Sequence, residues 1–373
     1  MSYLKDSNNL YPLPKEHIQF MKTYEAPLEK RRNLLRLDFN ENTLGPSPKV
    51  YEAIQNIQSN EISIYPEYDL LKNDVCAKYL NNKTFNPNEI GIFNGADAAI
   101  NAAFNAFGLK DEKFLTTEPT FGYYFPCAAM QGMDAITCGY LGKSFEFPFE
   151  DFENKIKKYS PRLVFICNPN NPTGTMLSAE KIFYLASKYK KSLFVIDELY
   201  EKFYGDSLLN YINFEECRNI IIIQSLSKTA GLAGLRIGFA FGNKKLIDYL
   251  NKVTGPYDVN GFAVTAAIAA IDDKAYIDNY VLKVKEAREW IKNKFESINV
   301  RSHFSGGNYF LIWPNTEPTL LEQRMRKKGI LVRNMQNKRS IEKSIRISIG
   351  IKEQMQSFWE IYKDLDIKNN PIL

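Results

Sequence analysis

The chain has 373 residues, 45% of them hydrophobic and 24% charged, an ordinary soluble globular balance that sets aside disordered and fibrous classes and leaves room for two domains. Its 48 basic residues against 43 acidic ones give a net charge of only +5, compatible with an anionic substrate but too mild for nucleic acid or a membrane surface as a partner. Five scattered cysteines without C-x-x-C spacing argue against disulfides and zinc and fit a reducing cytoplasm, and two histidines make His-based triads and multi-histidine metal sites poor candidates, so no metal is expected.

Residues 1 to 36 are polar and punctuated by proline, and read as an N-terminal arm without an apolar leader. L-R-L-D-F then gives a short strand, N-E-N-T-L-G-P-S-P a turn, and Ser47-Pro48 the start of a helix through Ile57. After I-Y-P-E-Y-D-L (64–70) an amphipathic segment runs to Leu80. The stretch I-G-I-F-N-G-A-D-A-A changes from strand to alanine-rich helix at Asn94-Gly95-Ala96-Asp97, where unpaired N–H groups and the positive end of the helix dipole can seat an anion; an ordinary cap by Asn94 or Asp97 is the plainer reading.

Residues 114–139 read as strand, turn (E-P-T-F-G-Y-Y), helix and strand. R-L-V-F-I-C is a buried strand that runs into the irregular loop N-P-N-N-P-T-G (168–174). A helix begins at Ser178, and S-L-F-V-I-D is another apolar strand, ending in Asp197. N-I-I-I-I-Q-S is a fourth, β-branched enough to be buried on both faces, and it delivers Ser225, Ser227 and Lys228 to its carboxyl end, with Arg236 eight residues beyond the lysine. This alternation from 90 to 240 implies a mostly parallel sheet with helices on both faces, and ligands bind at the carboxyl ends of such strands. After Asn243 a helical tract from Val264 to Ile298, then S-G-G-N-Y-F-L-I-W-P, a helix through Met325, G-I-L-V-R and S-I-R-I-S-I-G suggest a smaller α+β domain with an antiparallel sheet. The expected division is an arm at 1–36, a large domain at 37–250 and a small domain at 251–373.

Two hydroxyls and a guanidinium suit a phosphate, and a lysine beside them can form a Schiff base with an aldehyde, which points to pyridoxal 5'-phosphate. That cofactor needs four things from a protein: an imine-forming lysine, a negative charge at the ring nitrogen, a phosphate cup and a flat apolar partner. Lys228 is the candidate for the first and Asp197 for the second. Ser225, Ser227, Arg236 and the N–H groups of Ala96 and Asp97, behind Gly95, would form the cup. Phe121 would lie on the ring, and Asn171 and Tyr200 would hydrogen-bond its O3'. Singly, each has a plain structural reading as cap, ion pair or packing residue; together they do not.

The order F-N-E-N-x-x-G-P-S-P, Y-P-E-Y, G-A-D, P-T-F, N-P-N-N-P-T-G, D-E-x-Y and S-L-S-K-T-A-G-L-A-G-L-R-I-G-F resembles the fold-type I, class I/II aminotransferases, and within them the histidinol-phosphate aminotransferases, from about residue 36 to 350. The resemblance implies a large domain with a mostly parallel seven-stranded sheet and a homodimer whose active sites lie at the subunit interface. Tyr65 matches the tyrosine that reaches the neighbouring subunit's cofactor phosphate. It further implies that Arg346 pairs with the substrate carboxylate, that Arg333 and Tyr24 lie near a substrate phosphate, and that Asn171 borders the substrate as well as the cofactor. The reaction implied is ping-pong transfer of an amino group from a donor, expected to be glutamate, to a small phosphorylated keto compound. The chain departs from the subgroup at Thr43 (E-N-P there), at Ala98 (G-A-D-E there) and in a longer arm, which leaves imidazole acetol phosphate and a triose-phosphate-like ketone both open as acceptor. A decarboxylase of a phosphorylated amino acid, with the same cofactor and lysine, is the alternative; a ligand-binding protein without catalysis on this fold is a more distant one.

Overall fold

The computed structural model describes residues 12–23, 29–79 and 85–368. Its centre is a seven-stranded sheet in the order β2-β8-β7-β6-β5-β3-β4, built from β2 (Ile90–Phe93), β3 (Lys113–Glu118), β4 (Asp134–Gly139), β5 (Leu163–Cys167), β6 (Leu193–Asp197), β7 (Ile220–Ser225) and β8 (Gly238–Gly242). From β7 across to β4 every pairing is parallel, whereas β8 runs antiparallel to both β7 and β2.

Side chains alternate across each strand, and this period of two builds a core on either face. Ile221 and Ile223 face Phe165, Val195 and the helix Ala96–Phe107, while Ile220 and Ile222 face Ile166, Phe194, Ile196 and the helices Pro48–Gln55, Ala179–Lys188 and Gly261–Asp272. The four isoleucines are wholly buried, each worth about 2 kcal/mol relative to exposure.

A second unit packs the helices Lys274–Glu296, Pro318–Lys327 and Lys352–Tyr362 on an antiparallel sheet in the order β12-β13-β10-β9. Its strands are β9 (Arg301–Phe304), β10 (Tyr309–Trp313), β12 (Arg333–Asn334) and β13 (Ile345–Ser348). The first strand, β1 (Leu35–Arg36), pairs in parallel with β11 (Ile330–Leu331), and Leu37, Tyr200 and Phe203 join this unit's core. The single helical tract expected over 264–298 is two helices, Gly261–Asp272 and Lys274–Glu296, interrupted at Asp273 (φ −105°, ψ 46°). The break falls where the chain leaves one core for the other: Ala263 to Ile277 pack in the first, Tyr280 to Phe295 in the second. No helix among the described residues is long and apolar enough to cross a membrane.

Candidate active site

At the carboxyl ends of β5, β6 and β7 a cavity of about 780 Å³ opens between the two units. Lys228, Asp197, Tyr200, Asn171, Ser225, Ser227, Arg236, Ala96, Asp97, Phe121, Arg346 and Arg333 all line it, brought together from stretches far apart in the chain.

Asp197 is the last residue of β6 and 1% exposed. Burial pushes its carboxyl up to about 6, against hydrogen bonds from the Tyr124 hydroxyl (2.5 Å) and the Leu199 N–H (3.3 Å) that favour the anion. The Lys228 Nζ lies 2.9 Å from the Phe39 carbonyl. Its amine is pulled down to about 8, first by burial and then by the positive charge of Arg346. A lysine so placed is half neutral near pH 8 and therefore nucleophilic.

The anion cup is built by close backbone approach. Gly95 has φ +80° and caps the helix Ala96–Phe107; a Cβ there would come within 2.5 Å of the Arg236 Nη2. Gly238 packs as closely on the backbone of Gly95 and Ala96, where a Cβ would meet the Ala96 nitrogen at 2.6 Å. Neither Asn94 nor Asp97 caps this helix with its side chain, so its first N–H groups remain open to a ligand. Asp97 instead accepts from Arg236 Nη2 (2.8 Å), which aims the guanidinium at the helix end. Ser225 Oγ lies 2.8 Å from the Ile237 carbonyl and 2.9 Å from Ser227 Oγ, placing both hydroxyls on the same side.

On the opposite wall the Tyr200 hydroxyl accepts from Asn40 Nδ2 (3.1 Å) and Asn171 Nδ2 (3.2 Å). Burial raises its pKa, so it keeps its proton, and with both lone pairs engaged that proton is free to be donated. Arg346 donates from Nη1 to Asn171 Oδ1 and from Nη2 to the Asp38 carbonyl, both at 2.5 Å, while its buried Nε has no partner among the described residues. Such an unpaired donor on a buried guanidinium is suited to an incoming carboxylate. Arg333 lies over the Phe39 ring at 5.4 Å, with Lys338 also on the cavity wall.

Two of the expected residues stand elsewhere. Gly95 lies behind Arg236 rather than on the cavity surface. Tyr65 is 69% exposed and stacks on Tyr257 (centroids 3.9 Å apart), away from this chain's own cavity. Tyr24 lies outside the described residues. Sequence reasoning missed Tyr124, Asn40 and Lys338. Tyr124 sits three residues after Phe121 in the E-P-T-F-G-Y-Y turn and Asn40 within F-N-E-N, both close enough to be found, whereas Lys338 carries no local signal.

These groups fit pyridoxal phosphate: a buried carboxylate faces a neutralisable lysine across a slot bordered by Phe121, and a cup of N–H groups, hydroxyls and Arg236 lies at one end where glycines leave no Cβ. The family described as "Aminotransferase class I and II" matches residues 32–360. The chain is similar to a histidinol-phosphate aminotransferase of Clostridium botulinum, 32% identical over 344 residues that cover 90% of this chain and 93% of that protein. Its fold is similar to that of histidinol-phosphate aminotransferase from Sinorhizobium meliloti in complex with pyridoxal-5'-phosphate (TM-score 0.82, 22% identity, 95% of this chain and 99% of that one). It is also similar to L-threonine-O-3-phosphate decarboxylase from Porphyromonas gingivalis (TM-score 0.74, 22% identity, 89% and 99%).

Proposed function

This chain belongs to the class I and II aminotransferases, and from that premise we propose that it uses pyridoxal 5'-phosphate to move an amino group between glutamate and a small phosphorylated keto compound. The observation that supports this most is the meeting, in one cavity, of a lysine held near pH 8 with the buried Asp197 carboxylate and the Ser225–Ser227–Arg236 cup.

When bound, the cofactor supplies an aldehyde that condenses with amines and a pyridine ring that draws electrons from the substrate Cα. Asp197 would hold a proton on the ring nitrogen of the bound cofactor. Tyr200 donates its free hydroxyl proton toward the ring oxygen. Ser225, Ser227, Arg236 and the N–H groups of Ala96 and Asp97 would seat the phosphate, and Phe121 would offer an apolar surface to the ring. Lys228, with an amine poised near neutrality, would carry the proton between the substrate Cα and the cofactor's C4' carbon as general base and acid. Arg346 reads the substrate carboxylate, and Arg333 with Lys338 offers positive charge to the acceptor's phosphate. The reading includes a homodimer with shared sites and a reducing compartment, in keeping with five free cysteines.

An absorbance screen of the half reaction tests it: the cofactor-loaded protein is mixed with amino acids and with amino-alcohol phosphates, one at a time. Glutamate and one phosphorylated amine should each bleach the cofactor band. Release of carbon dioxide without any keto acceptor would instead establish the decarboxylase.

A further inference from the structure

Tyr200 is held from behind by two residues that do not line the strand-end cavity. Asn40, 1% exposed, comes from the segment after β1, and Ser348, wholly buried, is the last residue of β13. The Asn40 N–H donates to Ser348 Oγ (2.8 Å), so the hydroxyl's own proton goes to Asn40 Oδ1 (3.0 Å). This settles which end of the amide is which: Oδ1 faces Ser348, and Nδ2 faces the Tyr200 hydroxyl at 3.1 Å.

Asn40 is engaged at every polar atom. Its carbonyl accepts from Asn308 Nδ2 (3.2 Å). The peptide unit that carries its N–H also carries the Phe39 carbonyl, which accepts from Lys228 Nζ (2.9 Å), so that unit is tied to β13 at one end and to the lysine at the other. The backbone of Asn40 lies in the left-handed region at φ +56°, a conformation that a residue other than glycine keeps only where its surroundings impose it.

Asn171 is oriented in the same way: its Oδ1 accepts from Arg346 Nη1 (2.5 Å), which leaves Nδ2 toward Tyr200 (3.2 Å). The phenol oxygen thus receives two N–H groups whose directions are both set elsewhere. A hydroxyl has one proton and two acceptor lone pairs, so the proton points away from both amides, toward the cavity that Tyr200 lines.

We propose that Asn40, oriented by Ser348, is a positioning residue that compels the Tyr200 hydroxyl to donate to the ring oxygen of the bound cofactor. The inference rests on the cofactor reading above and extends it to residues behind the cavity wall. A donor fixed on that oxygen stabilises its anionic form and weakens its hold on the proton it shares with the Lys228 nitrogen, so this proton passes to solvent at lower pH.

Asn40→Asp keeps the side chain's shape and its tolerance of φ +56°, but turns the donor into an acceptor, so that Tyr200 gives its proton backwards. The test is a pH titration of the visible absorbance of the full chain loaded with pyridoxal phosphate. Asn40→Asp should raise the midpoint by about one pH unit, a change of about tenfold in the proton equilibrium, and Asn40→Gly, which suits the left-handed backbone, should raise it by less. Because a new carboxylate also acts through its charge, both substitutions are repeated on Tyr200→Phe. There Asn40→Gly should leave the midpoint in place and Asn40→Asp should move it by less than about half as much. If circular dichroism shows Asn40→Asp unfolded, Asn40→Gly decides alone. A midpoint unchanged by either substitution, or moved equally with and without the Tyr200 hydroxyl, overturns this inference only; a protein that takes up no cofactor overturns the functional reading and this inference with it.

Discussion

At the scale of single residues, the proposed chemistry rests on the burial of Lys228, which pulls its amine down to about 8. Because a neutral amine is needed to capture an aldehyde, the rate at which cofactor-free protein takes up pyridoxal phosphate should rise with pH below about 8 and level off above it. Arg346 is the second cause of the depression, so Arg346→Gln should move that plateau to higher pH. A rate still climbing through pH 10 in the unsubstituted protein would show an ordinary lysine. Gly95 offers a sharper test of the cup. With φ +80° and Arg236 2.5 Å from any Cβ, Gly95→Ala both strains the backbone and displaces the guanidinium. We expect cofactor affinity to fall about tenfold or more, at a stability cost of about 1–2 kcal/mol, as read by fluorescence titration and thermal melting.

At the scale of elements, β6 and β7 divide two kinds of polar residue between two sides of the sheet. Asp197 and Ser225 go to the strand-end cavity, Glu198 and Gln224 to the other side. Burial pushes the Glu198 carboxyl up to about 8, against hydrogen bonds from Ser207, the Leu208 N–H and Gln224. A carboxyl whose folded pKa is raised holds its proton in the native state after the unfolded chain has lost it. Its contribution to stability is full below about 4.5 and is lost as pH rises through about 8. The melting temperature should therefore decline between pH 5 and 8, and Glu198→Gln should flatten that decline; an identical slope in the variant would contradict the assignment. Strands of this kind were legible because a buried parallel strand is a short apolar run, and Ile220–Ile223 can hardly be anything else. The direction of β8 was not legible, since G-F-A-F says nothing of its antiparallel pairing. The helix Phe149–Tyr159 was overlooked although Phe149, Phe152 and Ile156 keep helical spacing, with acids first and lysines last. The Asn40–Tyr200 bond joins residues 160 apart in sequence, and only the packed fold reveals it.

At the scale of the whole molecule, the strand-end cavity exists because the second unit closes over the strand ends of the first. Arg346 and Arg333 arrive from β13 and β12, Lys228 and Asp197 from the large sheet, and the segment after β1 ties the halves together. There the Asn40 N–H donates to Ser348 Oγ (2.8 Å), and Asn42 Nδ2 donates to the Thr229 carbonyl (2.8 Å). Tyr65 belongs to a larger assembly if two copies share their sites. Tyr65→Ala should then weaken cofactor retention about tenfold in the dimer seen by sedimentation, although the residue is remote from its own chain's cavity. Wild-type retention in that variant would remove the shared site. The most direct measurement of the central claim is borohydride reduction of the protein after incubation with pyridoxal phosphate, followed by peptide mapping. One cofactor should be found fixed per chain, on the peptide that holds Lys228 and on that lysine alone. A protein that takes up no cofactor, or that carries it on lysines scattered over the surface, would contradict the account.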